Sequence, residues 1–211
     1  RTLNALPSNT MQKILILFAH PRFEGSRAHA ALLGAVPKIP GVTVRDLYEL
    51  YPHFEVDIAA EQAALLEHDV IIWQHPVYWY SCPPLLKQWI DLVLARGWAY
   101  GPGGTALAGK AIFSAVSTGG AAGAYRQDGS HGHTLRAFLL PFEQTARLCN
   151  MRPLPPFVAH SARQASAAEL ADMAALYGQL LLRLQESLPA AAELSRFEYL
   201  NDWVIEQQTT V

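Results

Sequence analysis

Residues 117–133 read "STGGAAGAYRQDGSHGH" and follow directly on the apolar run "AIFSAV". Gly119 and Gly120 allow a backbone to approach a ligand closely. The Ser117 and Thr118 hydroxyls, with main-chain N–H groups, can then hydrogen-bond the carbonyls of a heterocycle. Tyr125 and His131 follow in the same stretch. A phenol and an imidazole beside a polar heterocycle form a proton-handling pair. A loop cover and a helix cap would account for the same two residues without chemistry. Zinc is not expected at His131 and His133, because no third ligand stands at suitable spacing.

Two other stretches have chemistry in reach. In "AHPRFEGSRAH", His20 ends an apolar run and Ser26 stands where a helix should begin. A helix N-terminus offers free N–H groups and a positive dipole end, so it attracts anions. Ser26 can cap that helix or donate to a phosphate. Neither G-x-G-x-x-G nor G-x-x-x-x-G-K-[ST] is present, which removes a Rossmann fingerprint and a P-loop. In "QHPVYWYSCPP", Tyr78, Trp79 and Tyr80 lie between prolines that stiffen the loop. Such a loop can wall a slot for a planar ring, or belong to a core cluster or a subunit interface. Cys82 has no identifiable His and acid partner there and reads as structural.

These stretches need elements to hold them. "KILILFAH", "DVIIWQHP" and "KAIFSAVST" are near-continuous apolar runs, as strands covered on both faces of a parallel sheet require. "GVTVRDL" reads as a short strand, and "RPLPPFVAH" holds a fifth. Between them run helical patterns: "RAHAALLGAV", stopped by Pro37, and a helix capped by Asp57, with Ile58, Leu65 and Leu66 on one face and Glu61 in its first turn. "PPLLKQWIDLVLARG" follows, then "TLRAFLLPFEQTARLC" with a kink expected at Pro141. A last helix starts at the Ser166–Glu169 capping box and carries Leu170, Met173, Ala174, Tyr177, Leu181 and Leu184 inward. The alternation predicts a flavodoxin-like, doubly wound α/β fold with five parallel strands in the order 2-1-3-4-5. Ligands then bind beyond the strands' carboxyl ends, and the three unusual stretches fall on that one rim.

Composition sets limits. The chain has 211 residues, 51% of them hydrophobic and 16% charged, with a formal net charge of −2. It can bury a sizeable core, and it lacks the basic stripe that nucleic acid would require. No apolar stretch reaches the roughly 18 to 20 residues of a membrane span. Two cysteines are too few for a disulfide framework, so a cytoplasmic location is expected. "RTLNALPSNT" lacks the apolar core of a signal peptide and reads as an arm over 1–10, with Met11 the expected start. One domain is expected over 11–187. An extension over 188–211 carries Phe197, Tyr199, Leu200 and Trp203, which pack on that domain or on a partner subunit.

At these residues the sequence resembles the flavin-dependent NAD(P)H:quinone oxidoreductases of the DT-diaphorase type, and among them the KefF-type ancillary proteins of glutathione-regulated potassium efflux systems. "DIAAEQAALLEHDVIIWQHPVYWYSCPPLLKQWID" and "GWAYGPGGTALAGK" carry the resemblance, with "STGG" in the expected order. It implies bound FMN or FAD, NAD(P)H as co-substrate, and ping-pong transfer of two electrons to a quinone-like acceptor. His20, Ser26, Arg27, Ala28 and His29 match the loop at the flavin phosphate. Val77, Tyr78, Trp79 and Tyr80 match the loop along the ring. Ser117, Thr118, Gly119 and Gly120 match its polar edge, and Tyr125 and His131 match the pair that handles charge and protons there. His29 stands where the family commonly has Asn, and Ser117 where it commonly has Thr. The resemblance also implies a homodimer, contributed to by "WIDLVLARGWAYG", and a membrane potassium efflux protein as partner, which would put the chain at the inner face of the membrane. An azo- or nitroreductase would use the same slot. A one-electron flavodoxin fits less well, because strand 1 ends in His-Pro instead of a Ser/Thr-rich phosphate loop.

Overall fold

The computed structural model describes residues 11–36 and 39–209; the expected arm over 1–10 and the stop at Pro37 lie outside them. β1 (Ile14–Phe18), β2 (Val42–Asp46), β3 (Val70–Pro76) and β4 (Ala111–Ser117) run parallel in the order β2-β1-β3-β4. Every residue of β1, β3 and β4 is buried. This is why their sequences are apolar throughout instead of alternating.

Successive side chains point to opposite faces and so divide the core in two. Leu15, Leu17, Ile71, Trp73 and Ile112 pack with Leu65 of α3 (Ile58–Glu67), Trp89 of α4 (Pro84–Val93) and Leu139 of α5 (Leu135–Leu148). Ile14, Ile16, Phe18, Ile72 and Phe113 pack on the other face with Leu32 of α1 (Arg27–Ala35) and Tyr177 and Leu181 of α6 (Ala167–Glu186). α2 (Leu47–Leu50), between β2 and α3, and α7 (Ala191–Leu194), after α6, are single turns. Truncating a fully enclosed residue such as Leu17 or Leu181 to Ala costs about 2–5 kcal/mol. Among the described residues no helix is long and apolar enough to cross a membrane.

The fifth strand is broken. β5 (Arg152–Pro153) and β6 (Phe157–Ala159) each pair with β4, and Leu154, Pro155 and Pro156 lie between them. Proline has no N–H to donate, so the ladder cannot run continuously there. Helix starts follow the sequence: Ser26, Asp57 and Thr134 each accept a backbone N–H three residues on, and Ser166 and Glu169 form a reciprocal capping box. α5 continues through Pro141 as one helix.

α3 departs from its expected face. Ile58 and Leu66 are 39% and 53% exposed, while Leu65 and Glu61 are buried. Glu61 is no solvated dipole partner. Its carboxylate accepts hydrogen bonds from Arg45 (2.6 and 2.9 Å), the Tyr51 hydroxyl (2.5 Å) and the Trp89 indole (2.9 Å). These partners make its burial affordable. Trp89 is thereby enclosed within its own domain, not held out for a partner.

Beyond residue 187, α8 (Leu200–Thr209) buries Leu200, Trp203 and Val204 against the α6 face of the sheet. Asn201 anchors it: its side chain accepts from the Val158 N–H (2.9 Å) and donates to the Val158 carbonyl (3.0 Å). α8 therefore packs on the chain's own domain.

Candidate functional site

The segments leaving the carboxyl ends of β1, β3 and β4 wall a cleft of about 620 Å³, within the range of small-molecule sites. His20, Ser26, Arg27 and Ala28 come from the first segment, Val77 and Tyr78 from the second, and Ser117, Thr118 and Gly119 from the third. Parallel register makes this possible, because Phe18 pairs with Gln74 and Pro76 with Ser117. The three strands therefore end near one level.

The charged groups on the cleft suit an anion. Arg22, Arg27 and Arg163 line the cleft, and no Asp or Glu does. α1 points its N-terminus there, and its first N–H groups have no partner within the helix. Ser26 uses its hydroxyl to cap: it accepts the His29 N–H at 3.3 Å. His20 accepts the Arg22 N–H at Nδ1, and burial holds its pKa down, with Glu24 opposing.

His29 is the departure in this segment. Its side chain is wholly buried behind the cleft, 5.5 Å from the His20 ring between centroids, with Nδ1 3.3 Å from Gln74 Nε2. Burial, aided by His20 and His75, pushes its pKa down to about 3. It serves the cleft from behind, not as part of the wall. His75, fully buried, is likewise held down to about 4 by burial.

The second segment turns sharply. Tyr78 and Ser81 exchange backbone hydrogen bonds, and Trp79 and Tyr80 between them have φ of 48° and 62°. Both sit in the left-handed region, as a type I′ turn requires, though Asn and Gly usually fill it. Trp79 is 93% exposed, whereas the Tyr80 ring lies 4.8 Å from Phe138 and 5.5 Å from His131. Cys82 beside the turn is partly buried, and burial pushes its thiol pKa up.

The third segment leaves room for a ligand. A Cβ built on Gly119 meets no atom within 4 Å; one on Gly120 meets Tyr125 at 3.4 Å and His131 at 3.5 Å. Gly119 is on the cleft, and Gly120 has its back to the Tyr125–His131 pair. Those two rings lie 4.5 Å apart, tilted by 36°. Tyr125 is buried, and burial raises its pKa. The structure thus brings Tyr80, Tyr125 and His131 into one aromatic cluster, and neither these three nor Trp79 is among the residues that line the cleft. Among the described residues no three His, Cys, Asp or Glu side chains gather in a metal-holding group.

A fourth segment, after β6, went unrecognised in the sequence. Ala162 and Arg163 line the cleft. Thr118 N–H donates to Ala159, Ala162 N–H to Thr118, and Ser161 N–H to Gly120. "AHSAR" has no periodic pattern that would have revealed this; the one hint was a cation, Arg163, just past a strand end.

A family described as flavodoxin-like fold, Flavodoxin_2, matches residues 12–181. The ancillary protein KefG of the glutathione-regulated potassium-efflux system of Escherichia coli (strain K12 / DH10B) is 48% identical over 169 residues, 80% of this chain and 92% of KefG. The crystal structure of general stress protein 14 from Treponema denticola, solved in complex with FMN, superposes with a TM-score of 0.77 at 44% identity, covering 82% of this chain and 99% of that one. An NADPH-quinone reductase from P. pentosaceus superposes with a TM-score of 0.73 at 31% identity, over 79% of this chain and 96% of the other.

Proposed function

The chain belongs to the flavodoxin-like fold family, and on that premise we propose that it is a flavin-dependent NAD(P)H:quinone oxidoreductase holding FMN in the cleft. The observation that carries this reading is the cleft's division of labour. Arg22, Arg27 and Arg163, with the start of α1, suit a phosphate. Gly119, open to the cleft, and Tyr78 suit a flat polar heterocycle. The FMN bound by the Treponema denticola protein supports FMN over FAD.

When bound, the flavin supplies the hydride chemistry. The chain's own groups do the rest. Ser26 organises the phosphate end, and the Ser117–Gly119 backbone can donate to the ring's carbonyl edge. Tyr125, with His131 stacked on it, offers a proton donor where negative charge grows, and donors of that kind act by binding the transition state more tightly than the ground state. The open face beside Trp79 and Tyr80 takes NAD(P)H and a quinone-like acceptor in turn, the basis for ping-pong turnover; azo and nitro compounds are further acceptors of that shape. A homodimer that shares this rim would cover the exposed Trp79.

A second reading has its own support in the identity with KefG. There the chain is a cytoplasmic flavin- and nucleotide-binding subunit that docks at the inner membrane face on a potassium efflux protein. The two readings are compatible, and turnover separates them.

The test is the visible spectrum of the purified protein and the mass of the released flavin, followed by stopped-flow reduction with NADPH and reoxidation by a quinone. Tyr125→Phe and His131→Ala should each slow reduction by roughly 10²-fold, the low end for general acid–base assistance. A colourless protein that takes up no flavin would overturn the reading. Wild-type rates in both variants would reduce the pair to scaffolding.

A further inference from the structure

Thr118 is 1% exposed and is the meeting point of two chain segments. Its hydroxyl oxygen lies 2.8 Å from the Gly120 carbonyl oxygen and 3.0 Å from His160 Nδ1. A hydroxyl has one proton and a carbonyl can only accept. Two oxygens at 2.8 Å need a hydrogen between them, so the threonine proton is committed to Gly120. Nothing is left for Thr118 to give His160. The imidazole must therefore donate, and His160 carries its proton on Nδ1.

That leaves Nε2 as a lone pair, and it is buried with no partner. The ring's other neighbours are the aromatic faces of Tyr125, 5.7 Å away, and Tyr199, 5.8 Å away. Burial also holds the His160 pKa below its ordinary value. A single hydrogen bond, from Nδ1 to Thr118, orients the ring.

We propose that His160 is a positioning residue for the cleft: by donating from Nδ1 it aims the Thr118 hydroxyl at Gly120 and so locks the Ser117–Gly120 loop against Tyr125 and His131. Without that donation the hydroxyl is free to rotate away, and the Gly120 carbonyl keeps only the Ser161 N–H at 3.0 Å. Ser161 offers that N–H from a left-handed backbone, φ 53°, a conformation few non-glycine residues hold without support.

The consequence for a cofactor rests on the flavin reading above; the hydrogen-bond assignment does not. The first measurement is therefore made on the unmodified protein. Long-range ¹⁵N–¹H NMR of the imidazoles should show His160 with its proton on Nδ1, and a proton found on Nε2 overturns the proposal. The second measurement is FMN titration followed by absorbance and by protection of the Gly120 and Ser161 amides from hydrogen exchange. His160→Asn, whose amide N–H can stand in for Nδ1–H, should stay within about twofold of wild type. His160→Ala should bind about tenfold more weakly and shift the bound-flavin spectrum, the size of one lost hydrogen bond. Equal affinity, spectrum and protection in Asn and Ala variants overturn the positioning role. Failure of the wild type to bind FMN, with the Nδ1 proton present, instead defeats the flavin reading alone.

Discussion

Replacing Trp79 by Asn should make the fold more stable and the site worse. Trp79 holds φ at 48°, in a region that costs an ordinary L-residue about 1–2 kcal/mol and Asn distinctly less. At 93% exposure the indole returns almost no packing energy to the folded chain. The substitution should therefore stabilise by about 0.5–1 kcal/mol, a rise in Tm of about 1–4 °C for a chain this long. Against a planar ligand the balance reverses. Covering roughly 100 Å² of indole gives about 2.5 kcal/mol, which makes the loss in affinity about tenfold or more. Urea unfolding at matched flavin occupancy reads the first effect, and KM for a quinone acceptor reads the second. Loss of stability with KM unchanged would refute the reasoning, because it would mean that the indole serves the fold and not the slot.

Other expectations follow from the same structure. Gly119→Val should fold normally yet lose flavin, since its side chain enters an open cleft; Gly120→Val should disturb Tyr125 and His131 as well, visible as a changed near-ultraviolet circular dichroism. Glu61→Ala should cost about 3–5 kcal/mol in urea unfolding, because it strands Arg45, Tyr51 and the Trp89 N–H together; a cost under about 1 kcal/mol would show the network relaxes. Acid should destabilise early. His29 and His75 have folded pKa values of about 3 and about 4, below the 6.5 of an unfolded histidine. The unfolded chain therefore takes up protons first, and stability present above pH 6.5 is lost as pH falls toward those values. By pH 5 each residue accounts for about 2 kcal/mol of loss, and His29→Asn should flatten the measured slope.

The sequence was most legible where burial on both faces left no choice. β1, β3 and β4 had to be apolar throughout, so their runs and the rim they share could be read directly. Gly119 stood out because only a missing side chain leaves such an opening. Reading failed where a residue's partner lay far along the chain. Glu61 in a first helical turn looks like any dipole-facing acid, and only Arg45 and Trp89, brought in by folding, make it a core residue. That hidden partnership also turned α3 so that Ile58 and Leu66 face outward. His160 and Arg163 follow a strand of three residues, too short for any period to announce. His29 carried the right type for a ligand contact, but the helix turns its ring inward onto Gln74.

The break in the last strand constrains how copies of this chain can meet. A sheet with an intact outer strand displays a row of free N–H and C=O groups, a template for another chain's edge. Here that border is two fragments with Pro153, Pro155 and Pro156 distributed through it, so much of the donor row is missing. The opposite border, β2, has its Arg45 drawn inward onto Glu61 and keeps its outer edge unbroken. Strand-to-strand growth into ribbons or fibrils is therefore hindered at the broken border. Any association between copies is thereby turned away from that border and toward helical and loop surfaces.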